Sequence, residues 1–135
     1  MDTANEIKKS LEKMQARFSN SKWTATEANK FIKSELGEKF SEKGFSINSS
    51  VEIKRSNSEN KSEREWLYDF IARIWEDGFF KGVELAAEFE LSSNCWHGIK
   101  RDYCKLLQSD ANNKLFIFIP PPPQKKKIIK IIMNK

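Results

Sequence analysis

Histidine appears once in this 135-residue chain and cysteine twice. The single imidazole, His97 beside Trp96, leaves Ser-His or Cys-His catalysis dependent on one ring, and a helix-terminal surface or core histidine is the expected role. Cys95 and Cys104 fall nine residues apart in one expected helix, on different faces. That spacing suits neither a zinc knuckle nor a ready disulfide, and two buried thiols in a reducing cytosol is the reading it supports. Glycine is also scarce, at five, and no Gly-rich phosphate loop exists. All four prolines stand together as Pro120–Pro123. No apolar run approaches the roughly 20 residues that span a bilayer. The opening Met1-Asp2-Thr3-Ala4-Asn5-Glu6 lacks the basic and apolar regions of a signal peptide. These absences point to a soluble, cytoplasmic domain without a membrane span.

Charge of one sign is less abundant than it looks. The net +5 comes from 24 Lys and Arg against 19 Asp and Glu. Lys125, Lys126, Lys127, Lys130 and Lys135 all lie in residues 120–135, which carry no acid, so the rest balances at 19 against 19. Overall charge therefore gives little support for nucleic-acid binding, and only the tail does. Aromatics are plentiful, with ten Phe, four Trp and two Tyr. Trp66 is assigned to the core and Trp96 to a helix stripe, which leaves Trp23 and Trp75 for base stacking, with core or surface filling as the default.

Ile7, Leu11, Met14 and Phe18 recur at helical spacing over residues 4–18. Thr24 or Thr26 caps a second helix containing Ala28, Phe31, Ile32, Glu35 and Leu36, which Gly37 is expected to disturb or end. Part of residues 45–53 alternates as a strand, with Phe45, Ile47, Val51 and Ile53 on one side, and Ser56 to Ser62 reads as a polar loop. Ser92, Ser93 and Asn94 offer caps for a helix over about 95–109, whose stripe of Trp96, Ile99, Tyr103, Leu106 and Leu107 suits packing on the core face of a sheet. The unbroken run Leu115-Phe116-Ile117-Phe118-Ile119 reads as a strand buried on both faces and reached by a crossover helix. The order predicts an α/β fold: a mixed sheet of about four strands flanked by helices, in one domain over 1–119. Residues 120–135 are a Pro-rich junction followed by Lys and Ile. They read as a basic tail that touches phosphate or lipid or, preferred here, as the stub of a shortened C-terminal unit that a homodimer would complete.

Asp77-Gly78 between two apolar runs is a strong hairpin signal. With a two-residue turn, Glu76 pairs with Phe79 and paired positions sum to 155, which sets Asp69 opposite Ala86 and diagonal to Glu88. Side chains alternate along a strand, so Asp69 shares a face with Glu84, Ala86, Glu88 and Glu90. The other face collects Trp66, Tyr68, Phe70, Ala72, Val83, Leu85, Ala87, Phe89 and Leu91. Acids crowded on a half-buried face repel one another, and a divalent cation taking oxygen ligands relieves the repulsion. The competing account is a solvated outer face.

This element order, with Asp69 on the first hairpin strand and Glu88-Phe89-Glu90 on the second, resembles the PD-(D/E)xK, or restriction-endonuclease-like, nuclease superfamily over residues 26–119. The stretches Arg64-Glu65-Trp66-Leu67-Tyr68-Asp69 and Asp102-Tyr103-Cys104-Lys105-Leu106-Leu107 are also similar to a bacterial family without an assigned activity. The superfamily resemblance implies a nuclease that hydrolyses DNA phosphodiesters, with Asp69 and Glu88 holding Mg²⁺. Glu90 then stands where the family usually has Lys, as a base or metal-shell ligand, and the cation comes from the following helix, with Lys105 preferred over Arg101. A carboxylate of the preceding helix often completes such sites, and Glu35 or Glu27 fit by position. A catalytically inactive relative that acts as a binding module is the alternative.

Overall fold

Ile7, Leu11 and Met14 are buried along one side of α1 (Thr3–Asn20), and they meet Ala28, Ile32, Leu36 and Phe40 of α2 (Ala25–Glu42). The computed structural model describes residues 3–20, 24–49, 68–91, 96–119 and 130–134. Thr24 is the N-cap of α2: its hydroxyl accepts from the Glu27 N–H at 3.1 Å, which satisfies one of the helix's orphan donors. Gly37 does not end α2. Burial of Leu36 and Phe40 carries the helix a further turn, and that outweighs the roughly 1 kcal/mol a helical glycine costs.

The strands are β1 (Ser46–Ser49), β2 (Phe70–Glu76), β3 (Phe79–Glu90), β4 (Asn113–Phe118) and β5 (Lys130–Asn134). They form one mixed sheet in the order β1-β2-β3-β4-β5. The first three are an antiparallel meander; α3 (Trp96–Leu107) crosses from β3 to the parallel β4, and β5 pairs antiparallel on the far side of β4. The α/β class, the flanking helices and strands β1–β4 follow the sequence pattern. The fifth strand comes from the segment expected as a basic tail or, preferred, a C-terminal stub, and its Lys130 pairs with Phe118 in the ladder.

Alternation along β3 and β4 divides the core into two layers. Leu85, Ala87, Leu115 and Ile117 pack with α1 and α2. Ala86, Phe116 and Phe118 face the other way and pack with Ile99 and Leu106 of α3. The crossover helix therefore lies on the acid-bearing face, not on the core face where the sequence reading placed it. The cause is β4: Phe116 and Phe118 give that face enough apolar surface to hold the α3 stripe, with Tyr103 tilted on Phe116 at 5.7 Å. Trp96 meets Phe118 edge-on at 6.2 Å but stays 46% exposed, and Leu107 is exposed as well. Cys104 is exposed on α3, so the expectation of two buried thiols fails for this residue; Cys95 lies outside the described residues.

The turn forms as the Asp-Gly pair requires, with φ of 52° at Asp77 and 80° at Gly78. Glu76↔Phe79 and Trp75↔Phe80 keep the expected sum of 155. Two irregularities in β3 then shift the register, one between Ile74 and Trp75 and one between Ala72 and Arg73, so that Phe70 faces Ala87. Each adds one residue to β3, Lys81 and Glu84 respectively. Val83 lies between them and turns to the α3 side, as does Tyr68, which stands before a bend at Asp69. The sequence pattern places both on the opposite face. Expectations for Trp23, Val51, Ile53, the 56–62 loop, Trp66, the Ser92–Asn94 caps and Lys125–Lys127 lie outside the described residues.

Candidate functional site

The two insertions total an even number, and this decides the chemistry. The β3 residues beyond them return to their expected faces, but Asp69 now extrapolates to the position opposite Glu88 instead of opposite Ala86. At this end of the ladder the Asp69 carboxylate accepts the Phe89 N–H at 2.8 Å, a short charge-assisted bond that fixes it against β3.

Glu88 projects between the sheet and α3, with its side chain only 5% exposed. Lys105, on the last turn of α3, donates from Nζ to Glu88 Oε1 at 3.0 Å. Tyr68 brackets this lysine: its ring lies 5.0 Å from the ammonium, and its hydroxyl donates to the Lys105 carbonyl at 3.3 Å. A cation over a ring face is favoured by the ring quadrupole. Asp69, Glu88 and Lys105 are thus brought together by β2, β3 and α3.

Burial, first, and the neighbouring Asp69 charge push the Glu88 carboxyl up to about 8; Asp102 adds to this, while Lys105 opposes it. Glu90 is pushed up to about 7 by burial and by a hydrogen bond and like charge from Asp102, with Asp69 adding and Arg101 opposing. Burial acts to lower the Lys105 ammonium, but Glu88, Asp102 and Asp69 together raise it. The cluster therefore carries more carboxylate than its own cations neutralise.

Asp102 is the acid that sequence reasoning missed. It sits three residues before Lys105 on one helical turn and three after Ile99, an acid interrupting an apolar stripe, and that interruption was the available signal. Three other expected acids belong elsewhere. Glu84 accepts from Thr3 Oγ1 and Asn112 Nδ2, each at 3.0 Å, and ties α1 and the start of β4 to β3. Glu35 pairs with Lys13 at 3.2 Å, and Glu27 accepts from the Thr24 hydroxyl at 3.2 Å. Both stand on α2, which packs on the other face of the sheet. His97 is exposed on the first turn of α3.

Among the described residues, no three His, Cys, Asp or Glu side chains converge as a ready-made metal cage. The donor set that fits a hard cation is smaller. One oxygen of Asp69 is taken by the Phe89 N–H and one of Glu88 by Lys105. The second oxygen of each has no hydrogen-bond partner among the described residues. Two carboxylates with water completing the shell is a common way to hold Mg²⁺.

Among the described residues, no helix is long and apolar enough to cross a membrane. The fold and site define an α/β domain with a mixed sheet and a carboxylate–lysine cluster at one end of its hairpin. No family model, curated protein or solved structure matches the chain.

Proposed function

We propose that the protein is a metal-dependent DNA hydrolase with a restriction-endonuclease-like core, in which Asp69 and Glu88 hold Mg²⁺. The observation that carries this reading is the convergence of Asp69, Glu88 and Lys105, with a lysine from the crossover helix 3.0 Å from a buried carboxylate of the hairpin. The meander β1-β2-β3, crossover α3 and parallel β4 supply the element order that the resemblance requires. When bound, the metal lowers the pKa of its water and neutralises charge on the phosphoryl oxygens.

The chain's own groups do the rest. Asp69 is held in place by the Phe89 N–H, and Tyr68 holds Lys105 in place. Glu88 gives up its proton to bind a cation, so binding strengthens as pH rises toward 8. Glu90, raised to about 7, is poised near neutrality to take a proton from the attacking water. Lys105, freed from part of its bond to Glu88, faces the developing phosphoryl charge.

The experiment is hydrolysis of plasmid and short linear DNA with Mg²⁺ or Mn²⁺. Asp69→Ala and Glu88→Ala should each abolish it, and Lys105→Met should reduce it by about 100-fold or more. Cleavage that survives both acid substitutions would discard this reading. A second reading, an inactive binding module, is favoured by one specific observation: Glu88 already has an internal cationic partner in Lys105. Under that reading the cluster is a structural ion pair, and divalent metal leaves the melting temperature unchanged.

A further inference from the structure

The β2–β3 hairpin carries an aromatic patch that neither core layer uses. Trp75, Phe79 and Phe80 are 43%, 68% and 53% exposed. Trp75 and Phe80 are cross-strand partners and meet as a T-shaped pair at 5.6 Å. The Arg73 guanidinium lies 5.5 Å from the Trp75 ring, and Lys81 lies 6.0 Å from the Phe79 ring.

The face matters as much as the exposure. β2 runs without insertion from Phe70 to Glu76, so Ile71, Arg73 and Trp75 share a side. Ile71 pairs with Ala86, which packs under α3, and Glu88 follows two residues later on that side. The row Arg73–Trp75–Phe80 therefore lies on the same face as the acid cluster. Trp75 is six residues from Asp69, about 20 Å along the strand at ~3.3 Å per residue.

We propose that this row is a stacking platform for single-stranded nucleic acid, which it holds in line with the Asp69–Glu88 cluster. Bases stack on exposed rings whatever their sequence, and a neighbouring guanidinium pairs with the phosphates. Arg73 is the charged side chain of that row. Glu76 pairs with Phe79, on the other side, and Asp77 sits in the turn. Two carboxylates at the hairpin's apex would have to enter the lipid first, which argues against insertion into a membrane. The Arg73 cation over the Trp75 ring would oppose a second copy of the same patch but suit a polyanion. The proposal rests on the nuclease reading only for the fate of the strand, not for its binding.

The test uses the full chain and fluorescein-labelled dT12 and rU12 in EDTA, followed by anisotropy, so that binding is read without cleavage. Trp75→Ala and Phe80→Ala should each weaken binding about 5- to 150-fold, the range that one lost stacking interaction produces. Trp75→Phe should recover most of the loss, which a general folding defect would not allow. Oligonucleotide should also quench tryptophan fluorescence in wild-type protein and less so in Trp75→Phe. Tighter binding of dT12 assigns DNA, and tighter binding of rU12 assigns RNA. Unchanged affinity in both alanine variants, or equal competition by a 12-base-pair duplex, overturns the platform. Loss of self-association or of vesicle binding in those variants, with oligonucleotide binding intact, overturns it too. Failure of the nuclease reading looks different: oligonucleotides bind through Trp75, but no DNA is cut with Mg²⁺ or Mn²⁺.

Discussion

Glu88 is ionised with difficulty because it is buried and faces Asp69. Its folded value, near 8, is above the ordinary 4.5, so between these pH values the folded protein binds a proton that the unfolded chain has released. Stability linked to this group is therefore present at low pH and lost as pH rises through the window. Glu90, raised to about 7, acts in the same direction. The raised Lys105 favours folding throughout this window, because its loss begins only above the ordinary lysine value of 10.5. In metal-free buffer the melting temperature should thus fall between pH 5 and pH 8.5. Glu88→Gln should flatten that fall and raise the pH 8.5 value by on the order of a few degrees, as thermal unfolding followed by circular dichroism can measure. An equally steep fall in the variant would mean that Glu88 is not the group responsible. Lys105→Met probes the other side of the pair. Its cost should be smaller at pH 5.5, where Glu88 is protonated, than at pH 8.5, where it reaches about 1 kcal/mol, limited by the solvent exposure of the ammonium. Of these side chains, Asp69 and Glu88 were legible from hairpin parity, and Lys105 only as what a resemblance implied. Asp102 and Tyr68 were not, because what they touch depends on where α3 crosses the sheet.

The hairpin shows why element type was easier to read than register. Asp77-Gly78 specifies its turn locally, since both residues must take positive φ, and the first two pairs follow from it. Insertions have no comparably strong local signal. Gly82, at φ 142°, lies between Lys81 and Glu84 and is the nearest thing to one. An added Cβ there meets nothing within 4 Å, so the cost of substitution is conformational and not steric. Gly82→Ala should accordingly lose about 1–3 kcal/mol in chemical denaturation. A loss near zero would show that the backbone relaxes into an ordinary strand conformation. α3 illustrates a different limit. Its stripe was visible in sequence, but two sheet faces were available to it, and the apolar content of β4 made the choice.

At the scale of the whole molecule, the sheet is covered on both faces, and β5 covers the outer edge of β4. The pairs Phe118↔Lys130, Ile117↔Ile131, Phe116↔Ile132 and Leu115↔Met133 occupy that edge. In sequence, Lys and Ile were too loosely alternated to separate a strand from a basic tail, because a four-proline run cut them off from the pattern before. The two roles predict different behaviour on truncation. A tail that only touches phosphate can be removed without structural cost; its loss weakens nucleic-acid binding and flattens the salt dependence. A strand cannot, since its removal leaves the β4 backbone groups unpaired beside the buried Leu115, Phe116, Ile117 and Phe118. Deleting residues 124–135 should therefore lower the melting temperature and promote self-association through the bare edge, seen as earlier, concentration-dependent elution in size-exclusion chromatography. Adding Lys or Pro in place of Ile117 on the bared strand is no remedy, because its side chain is fully buried against α1 and α2. A truncated protein that melts where the full chain does and elutes at the same volume would show that β5 contributes nothing to the sheet's stability, and the edge of the domain would then be β4.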